Sequence, residues 1–351
     1  MHILVIRPCC IGDVMMATPA LAALRAYYPD AYITLAVSSW ARKAIEFHPA
    51  INAVLDTGPS ALPVKSITGF PRFVATLQMG DYDLAVSLVR SPLMSLAVRM
   101  SGIPQRAGIS SGWRGFGYNY KAQVDPAERR NEAEIYLSVV AALGAPTEGF
   151  QTNITAPIED QEYVDELLAK RSLDGPFVVI NPAGGSNPGM QMVSKRWPAE
   201  RFAQLADQLA EDMDMQIVLL GGPDDSGIIN AVRSQMKAHI TPFIGELTFP
   251  QIAALTARAA LYIGNDTGLT HIAAASGAPT VTIFGPSDPA RYAPYTRNSL
   301  VLWRPTELAS GGVDQTQHTA WDWERDGISV EDAHSQIQNF LANGPTSRQN
   351  L

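Results

Sequence analysis

The sequence predicts an α/β protein of two doubly wound domains, each a Rossmann-like parallel β-sheet flanked by helices, that face each other across a cleft. Short β-rich runs alternate with helical patterns along the chain, and the same rhythm occurs once in each half. The chain has 351 residues, 46% of them hydrophobic, which is too long for one small domain. Ligands of such sheets bind outside the carboxyl ends of the strands.

Each half contains four recognisable strands. The first domain is expected to cover residues 1–160 and the second residues 175–325. The predicted strands are 2–8, 32–38, 51–56 and 83–89 in the first half, and 177–184, 216–222, 261–266 and 280–286 in the second. An acidic helix bounded by Pro157 and the segment 173–176 is expected to form the linker region.

A C-terminal helix is predicted over residues 328–343. Ser329 and Asp332 have the spacing of a capping box at its start, and Gly344 is expected to stop it. Its apolar residues fall on one helical face: Val330, Ala333, Ile337 and Phe340. Such a stripe predicts a helix that docks on the body of the protein.

The charge is distributed unevenly between the halves. The net charge of -8 argues against a nucleic-acid-binding protein, which would need a basic face. Residues 1–150 carry 13 Lys and Arg against 11 Asp and Glu, whereas residues 151–351 carry 13 against 23. The first half therefore has a formal net charge of +2 and the second one of -10, so the two halves are expected to bind different partners.

The chain start and the cysteines favour a cytoplasmic protein. No apolar run reaches the roughly 18 residues that a membrane span needs, and the apolar start lacks the flanks of a signal peptide. Cys9 and Cys10 are adjacent, a spacing that suits neither a metal site nor an ordinary disulfide. We expect them to be loop or core thiols in a reducing compartment.

The first strand-to-helix turn contains a carboxylate. Gly12 and Asp13 open a helix directly after the first predicted strand, and Pro19 is expected to kink that helix. Asp13 is either the N-cap of the helix or a chemically active group. The turn lacks the Gly-x-Gly-x-x-Gly fingerprint of a dinucleotide site, which disfavours an NAD-dependent enzyme.

Two turns of the second half are rich in glycine. Gly184 and Gly185 would let a ligand approach the backbone closely. Lys195, in the same segment, would bring a point charge to a phosphate, or else belongs to a solvated basic pair. In the next turn Asp224 or Asp225 would accept hydrogen bonds from ribose hydroxyls, or else cap the following helix.

A fourth turn, "NDTGLTH", is typical of an anion site. Asp266 is expected to cap the helix, so that the N–H groups of Thr267 and Gly268 point outward at its positive end. His271 would add a donor to the same anion, or else is a buried histidine bonded to backbone. Together the turns suggest that the second domain holds a nucleotide diphosphate.

The motifs resemble those of glycosyltransferase family 9, the bacterial ADP-heptose:lipopolysaccharide heptosyltransferases. The likeness covers nearly the whole chain, through "GDVMMATPALAALRAYYP", "SKRWPAERFAQLA", "VLLGGPDD" and "GNDTGLTHIAAASGAPTVTIFGPSDP". It implies the GT-B fold and transfer of a sugar, expected to be a heptose from ADP-heptose, to a lipopolysaccharide core or another glycan.

The resemblance also implies roles for individual residues. Asp13 matches the general base that takes the proton of the acceptor hydroxyl, and Lys195 matches the lysine that neutralises the leaving diphosphate. The expected donor-binding residues are Gly12, Gly184, Gly185, Lys195, Asp224, Asp266, Thr267, Gly268 and His271. The family inverts the anomeric centre without a metal ion, and no cofactor is expected, so the helix end and Lys195 would replace the cation.

The acceptor is expected to contact basic residues of the first domain, unless these are simply solvated. The candidates are Lys65, Arg72, Arg106, Arg114, Lys121, Arg129 and Arg130. Four aromatic residues of the same segments either stack on a sugar or belong to the core: Trp113, Phe116, Tyr118 and Tyr120. A lipid-linked saccharide acceptor would place the protein at the cytoplasmic face of the inner membrane, as a peripheral contact.

The chain departs from the family pattern at residues 186–194, "SNPGMQMVS", where inner-core enzymes have shorter polar segments. This insertion lies near the expected nucleotide site, so it bears on the identity of the donor. Two other functions compete with sugar transfer. One is a nucleotide-sugar epimerase or hydrolase, which would consume the nucleotide sugar without an acceptor. The other is a binding protein that does not turn over, against which the presence of both Asp13 and Lys195 argues.

Overall fold

The computed structural model describes residues 1–187, 190–305 and 321–343, without the side chains of residues 187 and 190. The chain divides into two compact units, Met1–Thr152 and Asn153–Leu351. The expected stop of the last helix at Gly344, and Pro188 and Gly189 of the insertion, lie outside the described residues. None of the described helices is long and apolar enough to cross a membrane.

The first unit is a six-stranded parallel sheet with helices on its faces. Its elements are β1 (His2–Ile6), α1 (Ile11–Met16), α2 (Thr18–Tyr27), β2 (Tyr32–Val37), α3 (Ser39–Arg42), β3 (Ala53–Asp56), α4 (Gly69–Met79), β4 (Leu84–Ser87), α5 (Pro92–Met100), β5 (Gln105–Ser110), β6 (Tyr120–Gln123) and α6 (Glu132–Ala141). The strand order is β3-β2-β1-β4-β5-β6, so the order reverses beside β1. Ligands of doubly wound sheets bind at this reversal, where the loop that follows β1 lies.

The second unit repeats this plan. Its elements are α7 (Ile158–Lys170), β7 (Phe177–Asn181), β8 (Ser186–Asn187), β9 (Met190–Gln191), α8 (Ala199–Met213), β10 (Gln216–Gly221), α9 (Ser226–Arg233), β11 (Ile240–Ile244), α10 (Phe249–Arg258), β12 (Leu261–Asn265), α11 (Gly268–Ala275), β13 (Thr280–Ile283), α12 (Pro289–Tyr292), β14 (Ser299–Leu302), α13 (Trp323–Asp326) and α14 (Val330–Asn343). The main sheet has the order β11-β10-β7-β12-β13-β14.

The predicted architecture of two parallel-sheet α/β domains is confirmed, and all eight predicted strands are present. Four strands, β5, β6, β11 and β14, were not predicted. Three of them, β6, β11 and β14, are edge strands with one neighbour each. The sequence signal of β6 is weak, because it reads Tyr-Lys-Ala-Gln with one buried residue, and β11 contains a proline. The predicted kink at Pro19 is also observed, since α1 ends at Met16 and α2 begins at Thr18.

The acidic helix predicted as part of the linker, α7, belongs to the second unit. It packs against α10, and Arg258 of α10 forms a salt bridge with Asp165 of α7. The boundary between the units falls after Thr152, so residues 153–160 lie in the second unit rather than at the end of the first.

The C-terminal helix α14 docks on the second unit. The N–H of Asp332 donates to the Ser329 side chain at 3.1 Å, which closes the start of the helix. The apolar stripe of α14 is buried among side chains of α8 and the sheet. Trp197 fixes the chain just before α14, since its indole N–H donates to the carbonyl of Ile328 at 3.2 Å.

A substitution at Gly108 tests the packing of the first unit. A Cβ at this position of β5 would lie 2.4 Å from the ring of Tyr118, which is buried. Gly108→Ala is therefore expected to lower the free energy of unfolding in urea by about 1–3 kcal/mol, a usual cost of overpacking. The control is Gly227→Ala, because the added Cβ of this helical residue meets no atom of the described chain within 4 Å. It should leave the stability unchanged or raise it by up to about 1 kcal/mol. Equal effects of the two substitutions would contradict the steric argument.

Candidate functional site

The glycine-rich turn at 182–185 and the turn at 265–268 lie side by side in the second unit. They follow β7 and β12, which are adjacent parallel strands with Asn181 paired to Gly264. Because the carboxyl ends of parallel strands share one edge of the sheet, both turns emerge at the same place. The sequence-predicted donor residues on these two turns are therefore brought together.

Asn265 joins the two turns. Its side-chain amide donates to the carbonyls of Pro182 and Ala183 at 3.0 and 3.1 Å, and its oxygen accepts from the N–H of Trp197 at 2.9 Å. Asn265 is fully buried, so these three bonds satisfy a side chain that would otherwise be costly to bury. The sequence analysis did not give Asn265 a role; a polar residue at the end of a buried strand was the available signal.

Gly184 packs directly against Thr267. A Cβ at Gly184 would lie 2.2 Å from the Thr267 methyl group, and the backbone of Gly184 has φ +99°. Both the contact and the backbone conformation therefore require glycine here. Both residues are half-buried, so the edge that they form is open to a ligand.

The insertion at 186–194 begins as a hairpin. Strands β8 and β9 pair antiparallel, and the N–H of Met192 donates to the carbonyl of Gly185 at 2.7 Å to close the loop. A 3-10 turn, Val193–Lys195, follows and carries Lys195 into the interior. The insertion thus sets the position of Lys195, a consequence that its sequence did not indicate.

Lys195 and Asp266 form a buried ion pair. The Lys195 ammonium lies 2.5 Å from one carboxylate oxygen of Asp266, and the residues are 8% and 6% exposed. The expectation that Asp266 caps the next helix is wrong. The N-cap of α11 is Thr267, and the Asp266 carboxylate points to the lysine instead, because an ammonium in a dry site binds a carboxylate more strongly than a backbone N–H does.

His271 is the third member of this cluster. It is 4% exposed, and its Nε2 lies 3.8 Å from the other carboxylate oxygen of Asp266. Its Nδ1 has no hydrogen-bond partner within the described part of the chain, so the alternative of a buried histidine bonded to backbone is not what the structure shows. Burial raises the pKa of Asp266, but the charge of Lys195 and the proximity of His271 outweigh it, so the net pKa lies below the ordinary range of a carboxyl.

The start of α11 has its amide groups available. Within the described residues no side chain caps this helix, whose first residues are half-buried. The first N–H groups of a helix have no partner inside it and lie at its positive end. This arrangement can bind an anion beside Gly184 and Lys195.

In the turn after β10 the two aspartates, Asp224 and Asp225, have different contacts. Asp225 accepts a hydrogen bond from the N–H of Gly222 at 2.8 Å and so closes the turn. Asp224 is exposed and remains the one of the two that can meet a ribose hydroxyl.

In the first unit Asp13 lies at the third position of α1 and is therefore not its N-cap. One carboxylate oxygen accepts from the N–H of Cys10 at 3.2 Å and lies 2.6 Å from the Arg7 guanidinium. The other accepts from the Tyr136 hydroxyl at 3.3 Å. The side chain is 24% exposed, and Gly12 beside it is half-buried. Asp13 is thus held by contacts on its buried side, and its carboxylate is partly accessible to solvent.

Arg7 and Tyr136 were missed by the sequence analysis. Burial lowers the pKa of Arg7, but the charges of Asp13 and Glu132 outweigh it, so the net pKa is raised and the guanidinium stays charged. Burial raises the pKa of Tyr136 well above its ordinary value, so its hydroxyl remains a donor to Asp13. The available signal for Arg7 was a charged residue directly after a buried strand. Tyr136 lies 123 residues from Asp13, and no sequence signal links the two.

Cys9 and Cys10 are joined by a disulfide, and the expectation of two thiols is wrong. The peptide bond between them is cis, and their Cα atoms are 3.1 Å apart.

The basic residues expected to meet an acceptor differ in availability. Lys65, Arg72, Arg114 and Lys121 are exposed. Arg106 instead donates to the carbonyls of Gly117, Ile103 and Pro104 and so holds its own loop. Among the aromatic candidates Tyr118 is buried, whereas Trp113, Phe116 and Tyr120 are exposed.

Within the described ranges no group of three or more His, Cys, Asp or Glu side chains is arranged to hold a metal ion. The charged cluster of the second unit contains one acid, one lysine and one histidine, a set suited to binding an anion through the lysine and the histidine.

Comparison with known proteins gives one consistent result. The family model of glycosyltransferase family 9 (heptosyltransferase) matches residues 71–319. Lipopolysaccharide heptosyltransferase 3 of Escherichia coli is 27% identical over 300 residues, which cover 83% of this chain and 86% of that protein. Lipopolysaccharide heptosyltransferase 2 of Salmonella typhimurium is 29% identical over 318 residues, covering 86% and 88%.

Solved structures agree in fold. A glycosyl transferase family 9 protein from Veillonella parvula is 25% identical, with a TM-score of 0.80 over 98% of both chains. The ADP-heptose lps heptosyltransferase II of E. coli is 24% identical, with a TM-score of 0.73 over 98% of this chain and 99% of that one.

The buried ion pair predicts a pH-dependent stability. The folded pKa of Asp266 lies below its unfolded value of about 3.9. Its contribution is therefore fully present above about pH 4 and is lost as the pH falls toward the folded pKa. At neutral pH, Asp266→Asn should lower the free energy of unfolding by about 3–5 kcal/mol, because it leaves the Lys195 charge buried and unpaired. Urea unfolding should show this difference shrinking as the pH falls below about 4.

Two controls accompany this measurement. Asp174→Asn, at an exposed position, should change the free energy of unfolding by less than about 0.5 kcal/mol. The double variant Asp266→Asn/Lys195→Met should recover much of the loss, since it removes both charges. An unchanged difference between wild type and Asp266→Asn across this pH range would contradict the assignment.

Proposed function

Because the chain belongs to glycosyltransferase family 9, we propose that this glycosyltransferase of GT-B fold moves a heptose from ADP-heptose to the core of a lipopolysaccharide. We propose further that transfer inverts the anomeric centre and needs no metal ion. The single observation that carries the donor half is the convergence of Gly184, the uncapped start of α11 and Lys195 at one edge of the second sheet.

The diphosphate of the donor would bind at the start of α11. The N–H groups of Gly268 and its neighbours would donate to phosphate oxygens, and Gly184 lets the anion come close to the backbone. His271 has an unused ring nitrogen and would supply a further hydrogen bond after a small shift. The exposed Asp224 would accept from a ribose hydroxyl.

Lys195 would stabilise the leaving group. An ammonium has three N–H donors, and the ion pair with Asp266 uses one of them. Asp266 thus holds the ammonium in place. The other two donors can bind the charge that develops on the diphosphate as the bond between the anomeric carbon and the phosphate oxygen breaks. A charge fixed in advance stabilises such a transition state without reorganising.

Asp13 would act as the general base. Direct displacement at the anomeric carbon needs one base for the attacking hydroxyl, and a single carboxylate suffices. The contacts with Arg7, Cys10 and Tyr136 restrict its orientation, while its partial exposure allows an acceptor hydroxyl to reach it. The exposed basic residues of the first unit would meet the anionic groups of the acceptor: Lys65, Arg72, Arg114 and Lys121.

Asp13→Asn is expected to abolish most of the transfer and to leave donor binding intact. Loss of a general base costs roughly 100-fold to 10,000-fold in rate. Tyr136→Phe removes one hydrogen bond to the base, so it should lower kcat by roughly fivefold, equal to about 1 kcal/mol. Tyr163→Phe, at an exposed position of α7, is the control and should not change kcat. Transfer assays with ADP-heptose and a lipopolysaccharide acceptor measure these rates, and near-normal turnover of Asp13→Asn would overturn the assignment of the base.

Calorimetric titration against ADP-heptose, ADP, UDP and GDP, without added metal, tests the donor. ADP and ADP-heptose should bind selectively. Lys195→Ala should weaken this binding, because the Asp266 carboxylate then faces the diphosphate uncompensated. It should also cost about 2–4 kcal/mol of transition-state stabilisation. Lys237→Ala, at an exposed lysine of the same unit, is the matched control. Preference for UDP or GDP would exclude the heptose donor, and consumption of ADP-heptose without an acceptor would favour a hydrolase or epimerase.

A further inference from the structure

A second ion pair lies beside that of Asp13 in the first unit. Strands β1 and β4 are adjacent and parallel, so the segments that follow them emerge side by side at the carboxyl edge of the sheet. Arg7, directly after β1, pairs with Asp13. Arg90, three residues after β4, has its guanidinium 2.8 Å from the carboxylate of Glu132. We call these four charged side chains the base cluster.

Helix α6 connects the two pairs. Glu132 and Tyr136 are four residues apart in this helix and therefore lie one turn apart on the same face. The Tyr136 hydroxyl donates to Asp13 at 3.3 Å, and the Arg7 guanidinium lies 5.3 Å from the centre of the Tyr136 ring. Burial raises the pKa of Tyr136, and the charges of all four members of the base cluster also act on this hydroxyl. The two pairs are therefore parts of one electrostatic unit.

The charges of the base cluster balance, because it contains two arginines and two carboxylates. The Glu132 side chain is 6% exposed and that of Arg7 15%. A charge left without its partner at such a position is costly, and a freed guanidinium binds another carboxylate within reach. Glu132 thus keeps Arg90 occupied and leaves Asp13 with one arginine.

Asp13 has little capacity for a further donor. Its Oδ2 accepts from the N–H of Cys10 and pairs with Arg7, and its Oδ1 accepts from Tyr136. An ionised carboxylate has about four lone-pair sites, so an acceptor hydroxyl must use one that these contacts leave. A second guanidinium on Asp13 would occupy that site, because arginine can bind both oxygens of a carboxylate at once.

We propose that Glu132 is a positioning residue of the general base. By holding Arg90 it keeps the Asp13 carboxylate accessible to the acceptor hydroxyl, and it keeps Arg7 as the single cation behind the base. Glu132 neither contacts a substrate nor moves a proton. The inference rests on the proposed role of Asp13 and adds to it the residue that prevents a competing ion pair.

Glu132→Gln tests the proposal, because it keeps the shape of the side chain and removes its charge. The freed Arg90 then turns to Asp13. Transfer assays should show kcat lowered about tenfold to 100-fold, since a small misplacement at a catalytic group costs rates of that order. Calorimetry should show an unchanged Kd for ADP-heptose, because the proposed donor-binding turns of the second unit are not altered.

A double variant separates this role from a merely structural one. Glu132→Gln/Arg90→Met removes both charges and leaves the pair of Arg7 and Asp13 by itself, so it should recover most of the lost kcat. Arg90→Met alone should lower kcat, because the unpaired Glu132 carboxylate then draws Arg7 away from Asp13. If Glu132→Gln does not fold, as judged by circular dichroism, the comparison of Arg90→Met with the double variant carries the test.

Two variants with matched chemistry serve as controls. Glu159→Gln removes an exposed glutamate from the first turn of α7, as Glu132→Gln does from the first turn of α6. Arg99→Met removes an exposed arginine from the last turn of α5. Both should have the kcat of the wild type.

Two results would overturn the proposal: a wild-type kcat of Glu132→Gln, or a kcat that is equally low in the single and the double variants. The proposed function fails separately, through near-normal turnover of Asp13→Asn. An inactive Asp13→Asn together with a fully active Glu132→Gln would leave Asp13 as the base and exclude only the role of Glu132.

Discussion

The buried ion pair between Lys195 and Asp266 is the constraint on which the site of the second unit depends. It ties the segment that follows the 186–194 insertion to the turn between β12 and α11, so one electrostatic contact sets the positions of both. Burying two charges costs several kcal/mol for each ion, which only close geometry and further hydrogen bonds repay. Asn265, in the same turn, bonds to the carbonyls of Pro182 and Ala183 and to the N–H of Trp197, so the turn is also fixed to the glycine-rich loop beside it.

A comparable arrangement positions Asp13 in the first unit, but its chemistry differs. Arg7 and Tyr136 hold the two carboxylate oxygens from the buried side, and the carboxylate remains partly exposed. In the second unit the cation is the group that a ligand would use, and the carboxylate serves to hold it. The two units therefore present opposite charges from similar buried pairs, which suits a reaction in which one group accepts a proton and another stabilises a departing anion.

Much of this site was predictable, because strand ends in parallel sheets concentrate polar residues. Gly184, Lys195, Thr267 and His271 were expected together, and the second unit brings them to one edge of its sheet. The partner of Asp266 was not predictable. A carboxylate before a helix is typical of an N-cap, and only the fold reveals that a lysine 71 residues away in sequence competes for it. The disulfide between Cys9 and Cys10 was not predicted either, because adjacent cysteines have an unusual spacing for a disulfide.

The sequence by itself determined the class of fold, the two-unit plan and the family, because hydrophobic periodicity and contiguous motifs are local properties of the chain. Tertiary structure alone decided that Lys195 pairs with Asp266, 71 residues away in sequence, and that Tyr136 donates to Asp13, 123 residues away. It also decided that Ile67 and Trp113 are left exposed in the first unit. The physical reason is that pairing and exposure depend on neighbours brought close by folding, and these are distant along the chain.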